Sequence, residues 1–164
     1  EMAEDFIHYS WWDVNYFGTF NYLERIANFK SVLDRGKYFL AIDGALNIQT
    51  SEDAKHIFYY SFCSFLLIAN EKSSFMFTTW WCLGSNSFGL LELTKNAELL
   101  GPATGDYYSL TNCLARNFEN GRVIVNYTPY STTISLGGNF RTLDGAVLNQ
   151  TTLMPHTGEI LYKV

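Results

Sequence analysis

The chain changes character once, near Gly84, and that change limits what it can fold into. Before it, apolar residues come in long periodic segments. From about Tyr16 to Leu33 they recur at Phe20, Leu23, Ile26, Ala27, Val32 and Leu33, the spacing of an amphipathic helix, which Gly36 stops. Tyr38-Phe-Leu-Ala-Ile42 is a continuous apolar run, as expected of a strand buried on both faces. Ser51, with Glu52 and Asp53 in the first turn, caps a second helix that reaches about Ala69 and is apolar nearly all round. Met2–Ile7 and Ser74–Thr79 read as further strands. Strand, helix, strand, helix, strand implies parallel strands joined by right-handed crossovers, and periodicity admits either a barrel or an open sheet.

Beyond Gly84 a short helix fits within 87–100, followed by short runs over 110–118, 122–127, 132–136, 146–153 and 160–164. Turn signals separate them at Asn120-Gly121, Pro129, Gly137-Gly138, Asp144-Gly145 and His156-Thr-Gly158. This predicts an antiparallel sheet, either a small sandwich or a layer packed on the α/β part. The chain opens without a start signal, which reads as the C-terminal part of a longer protein.

Composition narrows the class. Apolar residues make up 48%, enough for a substantial core. The net charge of −5 is interspersed and no Lys/Arg stripe exists, which argues against a nucleic-acid partner. The longest apolar run, Ile57–Ala69, falls short of the ~18 residues that span a bilayer. Cys63, Cys82 and Cys113 lack metal-ligand spacing, and no phosphate loop or nucleophile elbow is visible, so neither a metal nor a cofactor is expected. Asn126-Tyr-Thr128 and Asn149-Gln-Thr151 are glycosylation sequons, used only in a eukaryotic-type secretory setting and consistent with a secreted or cell-surface protein. Aromatics at 17% either fill a core or line a sugar site, where a flat ring covers a pyranose face.

Several segments together resemble glycoside hydrolase-like TIM-barrel proteins. Arg116-x-Phe118-x-Asn120-Gly121-x-Val123-x-Val125-Asn126 is similar to the start of their terminal β domain. Leu143-Asp-Gly145, Leu153-x-Pro155-x-x-Gly158-x-Ile160-Leu161 and Gly101-Pro102 ahead of Gly105-Asp-Tyr107 continue the pattern, and Met2-x-Glu4-x-Phe6 looks like a carboxylate-bearing barrel strand. The resemblance implies α/β followed by all-β: the last strands of a partial (β/α)8 barrel over 1–105, then an antiparallel β-sandwich-like domain over 106–164. It implies a carbohydrate-active hydrolase acting on a polysaccharide or oligosaccharide, or a non-catalytic carbohydrate-binding or assembly protein on a degenerate barrel. The partner is then carbohydrate, together with the missing N-terminal part of the protein or a neighbouring subunit that covers the open barrel edge.

Under that resemblance the strand ends fall on the catalytic face. Hydrolysis commonly needs two carboxyl groups. Glu4, with apolar Met2 and Phe6 beside it, is the candidate general acid, with Glu1 and Asp5 as alternatives of register; equally, Glu4 caps a helix or pairs with Arg25. Asp43 either holds substrate hydroxyls or, with Gly44, marks a turn. His8 is a candidate sugar ligand, although a lone His more often has a structural role. The Trp11-Trp12 and Trp80-Trp81 pairs, at corresponding strand exits, form either stacking platforms or a core plug.

Overall fold

The computed structural model describes residues 2–3, 22–45, 51–79 and 90–164. The chain divides into two compact units, Glu1–Phe88 and Gly89–Val164.

In the first unit, strands β1 (Met2–Ala3), β2 (Phe39–Ala45) and β3 (Ser73–Thr79) form a parallel sheet in the order β1-β2-β3. Helices α1 (Tyr22–Asp34) and α2 (Ser51–Ile68) lie on one face of it. On α1, Tyr22, Ile26, Phe29 and Leu33 follow the helical repeat, and Phe29 meets Phe39 of β2 at a ring separation of 4.9 Å. The helix ends as its sequence directs. Gly36 adopts φ +72°, its N–H donates to the Leu33 carbonyl, and that of Lys37 donates to Val32. Helix α2 is buried on nearly every side, and its Phe58, Phe62 and Phe65 pack on Phe75 and Phe77 of β3. Its two buried serines are satisfied. Ser64 donates to the Tyr60 carbonyl and accepts from the Tyr22 hydroxyl at 2.8 Å, while Ser61 donates to Asp43.

The second unit opens with helix α3 (Leu90–Glu98), capped by Gly101 at φ +68°. Strands β4 (Tyr108–Leu110), β5 (Cys113–Phe118), β6 (Gly121–Asn126), β7 (Thr132–Arg141), β8 (Val147–Leu153) and β9 (Thr157–Lys163) follow. They make one antiparallel sheet in the order β4-β5-β6-β9-β7-β8. It curls into a half-barrel. Cys113, Ala115, Ile124, Ile134, Leu136, Phe140, Leu153 and Leu161 form its core. The central strands β5 and β6 are buried on both faces, whereas β7 alternates buried and exposed over Thr132–Gly137. Residues 119–120 close the β5–β6 hairpin, and Gly121 follows where β6 runs against Leu161 and Leu100 too closely for a Cβ.

These facts correct the expected fold class. With 43% of the described structure in strands and three helices, the protein is mostly β and carries no sign of a partial (β/α)8 barrel. Strand–helix alternation did dictate parallel pairing, but the pairing stops at three strands, one of them two residues long, among the described residues. The β part is a single curled sheet rather than a sandwich. Two turn readings also fail. Asp43-Gly44 lies inside β2, paired with Phe77 and Thr78. Gly137-Gly138 lies inside β7, where the register with β8 shifts between Ser135 and Phe140. No helix among the described residues is long and apolar enough to cross a membrane.

Candidate functional site

Most residues singled out in the sequence lie outside the described residues: Glu1, Glu4, Asp5, His8, Trp11, Trp12, Trp80 and Trp81. Asp43 is described. Alternation along β2 turns Phe39, Ala41 and Asp43 toward the helices, and Asp43 is 2% exposed with the Ser61 hydroxyl on its carboxylate. A carboxylate held between sheet and helix this way keeps a donor and meets little water.

The sequons differ. The Asn126 side chain is fully buried, and its amide donates to the carbonyls of Tyr130, Leu153 and Met154 at 2.7, 3.2 and 2.9 Å. Its Oδ1 accepts from the Thr128 N–H and hydroxyl. That amide is consumed in tying the β6–β7 connection to the end of β8. Asn149 is exposed, and the Thr151 hydroxyl donates to Glu159 at 2.8 Å.

The irregularity in β7 builds an open concave feature on the sheet. Four residues, 136–139, stand opposite the single residue 149 of β8, so the strand bows outward. Gly137 takes φ +72°, a conformation glycine adopts without strain, and nothing lies within 4 Å of where a Cβ would stand on Gly137 or Gly138. The result is an open groove of about 420 Å³ lined by Ser135, Gly137, Gly138, Asn139, Asn149 and Gln150. The bow is anchored from below. Arg122 of β6 donates from Nε to Asn117 Oδ1 at 2.8 Å and from Nη1 to the Leu136 carbonyl at 3.1 Å. Its guanidinium lies 5.0 Å from the Phe140 ring centroid. The carbonyl of Leu136, in the segment where the regular β7–β8 register is broken, thereby gains a charged donor.

Chemically the groove is neutral. Three carboxamides, one hydroxyl and bare glycine backbone each offer both donors and acceptors, and no ionisable side chain lines it. Nearby titrating groups have structural causes. Burial raises Glu159 above the ordinary carboxylate range, against the lowering effect of the Thr151 hydroxyl. The Thr142 hydroxyl lowers exposed Asp144. Burial lifts the Cys113 thiol to about 11, which makes it a hydrophobe rather than a nucleophile. Among the described residues no group of three or more His, Cys, Asp or Glu gathers to hold a metal.

Sequence reasoning missed the groove because a Gly-Gly pair is also a turn signal. The signal that finds it is the alternation Thr132, Ile134, Leu136, Phe140, which continues across the pair and marks a bulge in one strand.

No protein-family model matches the chain, and no curated protein matches it. The resemblance to glycoside hydrolase-like proteins therefore has no family support, and the curled six-stranded antiparallel sheet removes its barrel. The extracellular placement that accompanied it likewise has no support.

Proposed function

We propose that the unit Gly89–Val164 is a non-catalytic binding module for a neutral carbohydrate. The observation that carries this reading is the uncharged groove on β7 and β8, with Ser135, Asn139, Asn149 and Gln150 around two glycines. Sugar hydroxyls each donate and accept, and carboxamides answer both functions without the cost of stripping water from an ion. A groove without cations offers nothing to a phosphate or carboxylate, so neutral ligands are preferred. Gly137 and Gly138 leave room for a ring to approach the backbone.

The test is affinity electrophoresis and calorimetry against neutral polysaccharides (a β-glucan, a mannan and a xylan) with an anionic polysaccharide for comparison. Gly138→Phe is the informative variant. Gly138 has an ordinary backbone conformation and open space around it, so the ring is accommodated by the fold and occupies the groove. Expected are binding to a neutral polymer by the wild type and at least ~tenfold weakening in Gly138→Phe, equivalent to ~1.4 kcal/mol. Binding that ignores the Phe, or that favours the anionic polymer, removes the reading.

A further inference from the structure

The groove does not end at Gln150. Outward-facing residues of β7 and β8 pair across the strands as Ser135 with Gln150 and Thr133 with Thr152, and Ser131 comes next beside Met154. The Thr133 and Thr152 hydroxyls share a hydrogen bond of 2.8 Å, and the Ser131 hydroxyl stands 3.6 Å from the Met154 sulfur. None of these side chains is charged. From Gln150 to Met154 the strip runs ~13 Å at ~3.3 Å per residue. At its end is Tyr130, 71% exposed, with Met154 at 58%. An aromatic that exposed on a freely moving loop would need no explanation. Here the buried Asn126 amide grips the carbonyls of both Tyr130 and Met154, and the Tyr130 N–H donates to Thr128 Oγ1 at 3.4 Å. A large ring is thus left in water on a backbone held by several hydrogen bonds, which is what a preorganised contact requires.

We infer that the binding site is extended, running from the Gly137-Gly138 groove along the β7–β8 strip to Tyr130 as a stacking residue, and that its ligand is a neutral oligosaccharide chain rather than a single sugar. The inference rests on the carbohydrate reading of the groove. The groove supplies hydrogen bonds to one end of the chain, the threonine and serine hydroxyls follow it, and the Tyr130 ring covers an apolar sugar face further along.

Calorimetry with a graded series of neutral oligomers, from monosaccharide to hexasaccharide of the polymer that binds, tests it. Wild-type affinity rises with length. Tyr130→Ala abolishes the gain of the longer members and leaves the shortest unchanged, and Tyr130→Phe restores the gain because stacking needs the ring and not the hydroxyl. The expected loss in Tyr130→Ala is about five- to tenfold on the hexasaccharide. Wild-type affinity that does not depend on length, or a length dependence that survives Tyr130→Ala, overturns the extended site while the groove stands. Failure of every oligomer and polymer to bind removes the groove reading, and the extended site with it.

Discussion

At the scale of single residues, the β unit depends most on places where a backbone comes close to a neighbour. Gly121 starts β6 with its Cα facing the Leu161 carbonyl and the Leu100 side chain, and an added Cβ falls inside contact distance of both. The Leu161 carbonyl belongs to the β6–β9 ladder and cannot withdraw without losing its pairing. Gly121→Ala is therefore expected to destabilise the unit by about 1–3 kcal/mol, the usual cost of overpacking, read as a lower urea midpoint with an unchanged slope. An unchanged midpoint would mean that the ladder yields more easily than its pairing implies. Asn126 illustrates the opposite device, a polar side chain placed at the core because it satisfies three carbonyls at once. Its sequon was legible in the sequence, but its burial was not. Whether an Asn at a strand end turns inward depends on carbonyls from residues 27 and 28 positions away.

At the scale of elements, local signals were read well and their closure was not. Helix α2 and strand β3 follow from apolar runs and caps that act within a few residues, so their extents are legible almost to the residue, whereas β2 runs on past Ile42 through Asp43 and Gly44 to Ala45. The number of strands in a sheet depends on pairings between distant segments, which no local pattern records. That is why strand–helix alternation makes the parallel pairing legible, while the barrel that the family resemblance implies leaves no sign among the described residues. The β7 bulge sits between these cases. Its glycines are local, but the meaning of φ +72° at Gly137 depends on Arg122, which reaches from another strand to hold the Leu136 carbonyl. Arg122→Lys keeps the charge and loses the planar fork that serves Asn117 and Leu136 together. We expect it to cost about 1–3 kcal/mol and to speed hydrogen exchange selectively at residues 137–139, the rim of the groove. Uniform loss of protection across β5, β6 and β9 would instead show that Arg122 supports the whole sheet and not the bulge.

At the scale of the molecule, stability must be followed unit by unit, because the chain divides into two compact units and one transition cannot be assumed. Exchange of β2 and β3 amides reports the first unit, and exchange of β8 and β9 amides reports the second. The second unit carries a distinctive pH dependence through Glu159. Desolvation raises its carboxyl, and the Thr151 hydroxyl only partly opposes this. A carboxyl whose folded pKa lies above its unfolded one binds its proton more tightly when folded. Its contribution to stability is complete below the ordinary carboxylate range and is lost as pH rises through the raised value. Asp144 has the opposite sign, since the Thr142 hydroxyl lowers it, but it is fully exposed and its contribution is screened by water. Glu159 should prevail, so the second unit is expected to lose stability as pH rises from the ordinary carboxylate range toward neutrality. Glu159→Gln, neutral at every pH, should flatten that decline and match or exceed the wild type at pH 7. Urea titrations from pH 4 to 8, read at the β8 and β9 amides, decide it. A wild-type stability that climbs through this range, or a decline that persists unchanged in Glu159→Gln, would place the governing charge elsewhere.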